Sequence, residues 1–337
     1  MLQLKNTSPF KAALGKFHDA QGADCLYVVV TATFQLWPSV ALSDEQIAPV
    51  LSDDYHGEPG RSSLRHAGEL HLGKPATDLI LVGHAKARHE KPVTEMNVRV
   101  QLAEREKVVK VFGDRQWRDF QPSHPVPFVA LPLVYERAFG GVLNVEDAPP
   151  IVEERNPLGV GLAWTYKRMK RGDLLPNLED PRQLLSEGVR PAPAAFGCIP
   201  PAWLPRRQLA GTYDEAWETK RAPFLPTDFQ PRFFNCAAEG LIFERHLQGG
   251  EPWYLEGVSE HGPLRGVLPT CTLEIAFVLR GERQVRPNRL QTVLFEPDDN
   301  RIRLTFHADF PCDKRALEVE RAEIALLDLQ LPAAPSP

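Results

Sequence analysis

Alternation of apolar and polar side chains predicts β structure over the first 140 residues. The clearest strand covers residues 26–36, where every second residue is apolar and the opposite face is also mostly apolar up to Thr31. Successive side chains of a strand point to opposite faces, so we expect this strand at the centre of a sheet. Residues 79–83 predict a short buried strand, and residues 97–102 and 108–112 predict a hairpin with one solvated face.

A second stretch of alternation, residues 236–330, predicts another β region. Its clearest element is a hairpin, because residues 292–296 and 301–308 alternate on either side of the turn-forming run 297–300. The even-numbered positions of its second strand are apolar and predict a core face, which leaves the other face to solvent. Residues 331–337 predict a frayed tail.

The middle of the chain, residues 141–235, has little periodicity and many prolines and glycines. Its best helix candidate is 180–188, where Asp180 is a suitable N-cap, Pro181 fits the first turn and Gly188 ends the run. The segment is also rich in aromatic side chains, which we expect to be buried against the sheets. These are Trp164, Phe196, Trp203, Tyr213, Trp217, Phe224 and Phe229.

Together these patterns predict a mainly β protein. Two antiparallel, sandwich-like β regions, at 1–140 and 236–330, are joined and wrapped by the irregular segment 141–235 with its short helices. The alternation does not decide whether the two β regions form one domain or two.

Composition and charge narrow the class of protein. The 337 residues are 43% hydrophobic and 25% charged, which is typical of a folded chain with a sizeable core. The 39 Lys and Arg against 44 Asp and Glu give a net charge of −5, which argues against nucleic acid as a partner. The 32 prolines disfavour long helices and parallel α/β sheets.

The cysteines and the N-terminus predict the compartment. Five cysteines lie far apart in sequence, which is not the pattern of a disulfide framework. Lysines at positions 5, 11 and 16 interrupt any apolar core of a signal peptide. The longest uncharged stretch, residues 25–43, alternates as a β-strand does and does not have the pattern of a membrane helix. We therefore expect a soluble protein of a reducing compartment, without membrane insertion.

The sequence contains no recognisable motif for a catalytic nucleophile, a bound nucleotide or a metal. His307 and Asp309, two residues apart on one strand face, are the nearest approach to a metal-binding pair, and we interpret them as part of a solvated face. We accordingly predict no catalytic residues, no cofactor and no metal.

Several charged residues lie within apolar or aromatic sequence, and buried charges need partners. We interpret them as a structural network of carboxylates and arginines that fixes the middle segment to the sheets. An acid–base pair that uses Asp114, Glu136 or Asp214 is the alternative. The network residues are Asp78, Asp114, Arg115, Glu136, Arg137, Asp214 and Glu215.

A basic run, residues 167–171, lies in the irregular segment. Such a run is usually a solvated stretch, but it also suits an acidic protein partner, because clustered charge speeds association. With two preceding aromatic residues it is the candidate contact surface. Its members are Trp164, Tyr166, Lys167, Arg168, Lys170 and Arg171.

Nine short motifs follow one another along the chain: KPATD (74–78), VFGDRQW (111–117), YERAFGG (135–141), NPLGVG (156–161), LPNLE (175–179), PAAFG (193–197), GTYDEAW (211–217), LPTDF (225–229) and FFNCA (233–237). Their order and spacing resemble the bacterial family carrying domain of unknown function 2169. The resemblance extends over nearly the whole chain, so residues 1–337 are expected to form one family unit. Cys236 departs from the family pattern, which has a small residue there, and a buried cysteine fills similar space.

The resemblance implies an adaptor or chaperone of type VI secretion in the bacterial cytoplasm. Such a protein binds a secreted effector and assists its loading onto the spike formed by VgrG and a PAAR-type tip protein. The resemblance implies no enzymatic activity and supplies no catalytic residues. Two alternatives stay open: a hydrolase of unknown substrate and a structural component of the secretion machine.

Overall fold

Strands dominate the regular structure in the computed structural model, which describes residues 2–19 and 21–332 except for the side chain of Lys314. Of the tail expected at 331–337, residues 333–337 lie outside the described residues. Twenty-six strands lie in the described ranges. In chain order the first nine are β1 (Gln3–Asn6), β2 (Lys11–His18), β3 (Asp24–Gln35), β4 (Ala41–Leu42), β5 (Asp54–Tyr55), β6 (Leu64–His66), β7 (Asp78–Leu81), β8 (His84–Lys86) and β9 (Glu95–Leu102). The next ten are β10 (Arg105–Phe112), β11 (Arg115–Arg118), β12 (Gln121–Pro122), β13 (Ala130–Pro132), β14 (Phe139–Gly140), β15 (Val142–Val145), β16 (Ala148–Val152), β17 (Val160–Gly161), β18 (Leu174–Leu175) and β19 (Leu178–Glu179). The last seven are β20 (Pro252–Glu256), β21 (Leu264–Val267), β22 (Thr270–Leu279), β23 (Glu282–Arg286), β24 (Asn288–Glu296), β25 (Arg301–Pro311) and β26 (Val319–Gln330).

Helical segments in these ranges are short. The two α-helices are α1 (Leu162–Thr165) and α2 (Glu215–Lys220). The carboxylate of Asp214 caps α2 by accepting from the backbone N–H of Trp217 at 2.8 Å. The 3₁₀ segments are Arg88–Glu90, Tyr135–Arg137, Arg206–Leu209, Pro231–Phe234, Pro297–Asp299 and Asp313–Glu318. The predicted mainly β fold with short helices is confirmed.

The central sheet has six strands and takes them from both ends of the chain. Its order is β2-β3-β25-β24-β7, and β4 pairs with the end of β3. β3 and β25 are antiparallel with Val30 opposite Phe306, whereas β7 runs parallel to β24 with Leu79 opposite Val293. β3 is buried on both faces along nearly its whole length, as its continuous apolar run predicts.

Two further sheets pack on the central sheet. A four-stranded sheet, β1-β26-β22-β23, joins the two ends of the chain because β1 runs parallel to β26, and a five-stranded sheet, β19-β10-β9-β20-β21, is antiparallel. Phe277 of β22 stacks on Phe310 of β25 with ring centroids 4.8 Å apart. Trp253 of β20 lies 5.4 Å from Phe295 of β24. The three sheets therefore share one hydrophobic core.

The middle segment, residues 141–235, lies on this core and is held by two smaller apolar clusters. In one cluster Phe139 packs with Leu162 of α1. In the other, Tyr135 meets Trp203 edge-on, with ring centroids 5.5 Å apart. Small sheets such as β12-β11-β18 and β15-β16 complete the segment.

The aromatic side chains of the middle segment differ in burial. Phe196 and Trp203 are buried, as expected. Tyr213 is 54% exposed, so the expectation of burial was wrong for this residue. Its ring packs on Trp217 of the exposed helix α2, which replaces a contact with a sheet. The half-buried members are Trp164, Trp217, Phe224 and Phe229.

Described residues 180–188 form a turn, so the helix expected there was wrong. In a helix the backbone N–H of Leu185 would bond to the carbonyl of Pro181. Here the carboxylate of Glu179 accepts from that N–H at 2.6 Å. Glu179 is itself fixed by an ion pair with Arg115. A side-chain acceptor held by tertiary contacts thus replaces the helical one.

The hairpin predicted at 292–308 is present as β24 and β25, but it is internal. β25 lies between β24 and β3, and Glu69 and His71, from the segment before β7, contact Thr305 and His307 on its second face. His307 is 4% exposed, and its ring lies 5.5 Å from that of His71 and 5.4 Å from that of Tyr27. The expectation of a solvated His307 was therefore wrong, because its polar neighbours come from parts of the chain that are distant in sequence.

Gly113, the residue after β10, tests the close packing of the loop that contains Val126 against the end of this strand. A Cβ atom at Gly113 would overlap the backbone carbonyl oxygen of Val126. The Gly113→Ala variant should therefore lose about 2–3 kcal/mol of unfolding free energy in urea denaturation. Gly197→Ala is the matched control, because nothing lies within 4 Å of the added carbon. Its unfolding free energy should stay within about 0.5 kcal/mol of wild type, and equal losses in both variants would contradict this packing.

Candidate functional site

A buried ammonium, that of Lys74, lies where the sheets meet the middle segment. Its Nζ donates to Asp78 Oδ2 at 2.7 Å and to Thr292 Oγ1 at 2.8 Å. The side chains of Lys74 and Asp78 are 4% and 0% exposed. Lysine is rarely buried without a partner, because its charge loses solvation. The pair therefore joins the start of β7 to β24 in the interior.

The same carboxylate holds the middle segment. Asp78 Oδ1 accepts from the side-chain amide of Asn235 at 2.8 Å, and Oδ2 accepts from the backbone N–H of Cys236 at 2.9 Å. Asn235 also donates to the carbonyl of Ala76 at 2.9 Å. The FFNCA motif is thus fixed directly on the KPATD motif. We call Lys74, Asp78, Thr292, Asn235 and Cys236 the buried hub.

The carboxylate of Asp78 keeps the buried side chain of Lys74 protonated. Burial opposes the charge on Lys74, but the negative charge of Asp78 outweighs it and raises the pKa of Lys74 above its ordinary value. The sulfur of Cys236 lies 3.9 Å from the same ammonium. The hub therefore combines a fixed positive charge with a thiol.

Sequence reasoning identified only part of this hub. Asp78 was assigned to a charge network, whereas Lys74, Asn235 and Thr292 were missed. One signal was available, since a lysine four residues before an aspartate, both next to a buried strand, points to a pair. The partners from other strands could not be found in that way, because they lie far away in sequence.

A second polar junction lies where the chain leaves β10. Arg137 Nη1 donates to Asp114 Oδ1 at 2.9 Å and to Asn177 Oδ1 at 3.0 Å, and Asn177 Nδ2 donates to Asp114 Oδ1 at 3.0 Å. The hydrogen bonds from Asn177 and Arg137 lower the pKa of Asp114 below its ordinary value. Arg115, the residue after Asp114, forms an ion pair with Glu179. This junction fixes the start of β11 against the LPNLE motif.

The junction positions the β11–β12 hairpin next to α1. The backbone N–H of Trp117 donates to the carbonyl of Asp173, and the Trp117 carbonyl accepts from Gly172, both at 2.9 Å. The indole of Trp117 packs on Trp164 of α1 with ring centroids 5.2 Å apart. The loop 166–173 is thus held at both of its ends.

This loop presents exposed basic and aromatic side chains. Tyr166 and Leu174 are 40% and 52% exposed. Lys167 pairs with Glu187 at 2.8 Å. In the described part of the chain the other three basic side chains of the loop form no ion pair. We define the basic–aromatic surface as Trp164, Tyr166, Lys167, Arg168, Lys170, Arg171 and Leu174.

A cavity of about 380 Å³ adjoins the basic–aromatic surface. Val142 and Leu174, each about half exposed, form apolar parts of its wall, and Arg168 and Lys170 form basic parts. Phe120, in the turn of the β11–β12 hairpin, is 93% exposed. Exposed apolar groups next to unpaired positive charge suit an acidic protein segment with a large apolar side chain.

The remaining members of the expected charge network lie elsewhere. Glu136 accepts from the backbone N–H and the hydroxyl of Ser63 at 2.6 and 2.7 Å. Asp214 caps α2, and Glu215 is exposed in its first turn. The members that meet at the second junction are Asp114, Arg115 and Arg137.

Neither a metal-binding cluster nor a membrane-spanning helix occurs in residues 2–19 and 21–332. No group of three or more His, Cys, Asp or Glu side chains there is placed to hold a metal ion. No helix in those ranges has the length and apolar character needed to cross a membrane. The cysteines of the chain are free and buried, and they are Cys25, Cys198, Cys236, Cys271 and Cys312.

Comparison with known proteins identifies the family. A family model described as "Uncharacterized protein conserved in bacteria (DUF2169)" matches residues 21–307. The chain belongs to this family. The match includes the buried hub, the second junction and the basic–aromatic surface of this DUF2169 protein. No curated protein and no solved structure matches the chain.

The charge of the buried hub predicts a large effect of one substitution. Asp78→Asn leaves the ammonium of Lys74 buried without its countercharge and should lower the unfolding free energy by about 3–5 kcal/mol in urea denaturation. Glu58→Gln is the matched control, because it removes a carboxylate from the exposed ion pair with Arg61. Its stability should equal that of wild type. Equal stability of the Asp78 variant would show that the hub does not hold the fold.

The buried histidines predict a loss of stability in mild acid. Burial lowers the pKa of His307 to about 4 and that of His71 well below its ordinary value. In the unfolded chain both groups titrate near pH ~6.5. Between these values the unfolded chain binds protons that the folded protein does not, so the unfolding free energy falls as pH falls from about 6.5 towards 4. One histidine contributes about 1.4 kcal/mol per pH unit.

Urea denaturation as a function of pH measures this slope. His307→Gln should reduce it by about one proton, whereas Gly197→Ala, which changes no titratable group, should keep the wild-type slope. Hydrogen bonds from neighbouring side chains outweigh burial and lower the pKa of Glu153 and of Glu296 to about 2, so these groups act in a separate window below pH ~4.5. An unchanged slope in His307→Gln would contradict the assignment.

Proposed function

We propose that this DUF2169 protein is an adaptor or chaperone that binds a type VI secretion effector and assists its loading onto the VgrG/PAAR spike. The observation that carries the proposal is the basic–aromatic surface, which is exposed but mounted on fixed contacts. The role in secretion is supported by the nine ordered motifs and the resemblance they carry. The cytoplasm is the compartment that this role requires.

Preorganisation favours binding at this surface. Association otherwise has to order loops and side chains, which weakens affinity. Here the Trp117–Trp164 contact and backbone hydrogen bonds to Trp117 already order the loop. Aromatic and arginine side chains are also the commonest anchors of protein interfaces. The surface places Tyr166 next to Arg168 in one short loop.

The proposed partner segment is acidic and carries a large apolar side chain. Its carboxylates face Arg168, Lys170 and Arg171, and its apolar side chain occupies the cavity between Val142 and Leu174. The protein as a whole carries a net charge of −5, so this positive region is a local exception. The positive charge of this region therefore attracts an acidic segment of the partner to this surface during the first encounter.

Removing the positive charge tests the proposal. Tagged protein is captured from its own bacterium, and bound proteins are quantified by mass spectrometry at several salt concentrations. A variant with serine at the four basic positions should recover the effector about tenfold less than wild type at moderate salt, with a weaker salt dependence. The replaced residues are Lys167, Arg168, Lys170 and Arg171.

A control variant removes the same charge from exposed positions elsewhere. It should recover the effector as wild type does. Equal recovery by both variants would remove the basic–aromatic surface from the binding site. Capture of sheath or baseplate proteins without any effector would instead favour a structural part of the machine. The control replaces Lys5, Lys11, Lys91 and Arg265 by serine.

A further inference from the structure

Cys198 of the middle segment and Cys236, the residue that directly follows the segment, lie within reach of each other. The sulfur atoms of Cys198 and Cys236 are 3.6 Å apart, and both residues are 1% exposed. The backbone N–H of Ile199 donates to the carbonyl of Cys236 at 2.7 Å, so the two backbones already run side by side. A disulfide needs sulfur atoms about 2.05 Å apart on backbones about 5–6 Å apart. Side-chain rotation can therefore close the remaining gap.

We propose that Cys198 and Cys236 are a redox site at which hydrogen peroxide forms a reversible disulfide. The ammonium of Lys74, 3.9 Å from the Cys236 sulfur, completes the site. Paired thiols often hold a metal ion, but this fixed positive charge repels a cation from the two sulfur atoms. The arrangement favours oxidation of the pair over metal binding.

Cys236 is the thiol that reacts with peroxide, because the thiolate is the reactive form. The hydrogen bond between the two thiols and the charge of Lys74 lower the pKa of Cys236, against burial and the Asp78 carboxylate 3.6 Å away. The same hydrogen bond and burial raise the pKa of Cys198. The two thiols therefore take different roles, with Cys236 attacking peroxide and Cys198 resolving the product.

The other cysteines are less reactive. Burial raises the pKa of Cys25 to about 11 and that of Cys271 to about 12, and it also raises that of Cys312. Within the described chain none of these sulfur atoms has a buried ammonium as its neighbour. Oxidation is therefore expected to select the Cys198–Cys236 pair.

The reaction balances with one peroxide per disulfide. The Cys236 thiolate attacks one peroxide oxygen, the O–O bond breaks, and the leaving hydroxide takes up the thiol proton to form water. Cys198 then attacks the sulfenic sulfur of Cys236, so that an S–S bond forms and the S–O bond breaks. The departing hydroxide leaves with the Cys198 proton as a second water. The two sulfur atoms lose two electrons, which reduce the peroxide.

Access to the pair is narrow. A cavity of about 20 Å³ lies against Cys198 and Cys236 and is also lined by Glu69 and Arg303. One water needs about 10–15 Å³, and hydrogen peroxide is larger than water. The oxidant therefore enters during local opening of the middle segment, so the reaction rate follows that opening.

The disulfide closes the loop 199–235, which contains α2 and two 3₁₀ segments. Cross-linking restricts the opening of such a loop. Hydrogen exchange within 199–235 should slow by roughly tenfold or more after oxidation, whereas exchange in β22 and β26 should not change.

The test uses the full, natively folded chain. It is treated with excess hydrogen peroxide, quenched, unfolded and alkylated, and then analysed by intact mass and peptide mapping. The expected result is a loss of about 2 Da, a cross-linked peptide that joins Cys198 to Cys236, and reversal by dithiothreitol. Two free thiols at these positions, or a cross-link through other cysteines, would overturn the proposal.

Two variants test the roles assigned to the two cysteines. In Cys198→Ser, Cys236 should stop at the sulfenic acid, which is detected as a dimedone adduct without the 2 Da loss seen for the pair. Cys271→Ser is the matched control and should form the Cys198–Cys236 cross-link as wild type does. If Cys198→Ser does not fold, the peptide map of the oxidised wild-type protein is sufficient to test the proposal.

Discussion

The buried ion pair between Lys74 and Asp78 is the contact on which the rest of the structure depends. Two charges in the interior lose solvation, and only a close pair with further hydrogen bonds recovers it. Thr292, Asn235 and the backbone N–H of Cys236 complete those bonds. Thr292 lies in β24, whereas Asn235 and Cys236 are consecutive residues where the middle segment ends, so the ion pair joins the central sheet to the middle segment.

Further polar contacts fix the middle segment close to the surface. The side-chain amide of Asn156 donates to the carbonyls of Tyr135 and Phe139 at 2.7 and 3.0 Å, which fixes the YERAFGG motif. Asn177 and Arg137 then fix the start of β11. The basic–aromatic surface is therefore an exposed loop with fixed ends, which is a common arrangement at recognition sites. The ammonium that balances Asp78 is also the charge that favours a thiolate in the proposed redox pair.

The fold was predictable where side-chain periodicity reports local structure. Alternation located β3, the β9–β10 hairpin and the β24–β25 hairpin, because each has a continuous core face. Alternation failed to predict the structure where contacts with residues distant in sequence determine it. His307 was expected in solvent because its neighbour His71 lies far away in sequence, and the expected helix at 180–188 is replaced by a turn because Glu179 takes its N–H donor. Asp114 and Arg137 were identified as charges that need partners, but Asn177, which joins them, has no signal in the sequence.

The proposed binding of a secretion effector at the basic–aromatic surface is tested most directly by hydrogen–deuterium exchange. The protein is compared alone and in complex with the effector captured from its own bacterium. Amides of residues 164–174 and of the β11–β12 hairpin are predicted to exchange more slowly in the complex, while those of β22 and β26 exchange as in the free protein. Protection confined to other surfaces, with residues 164–174 unchanged, would contradict the proposed binding site.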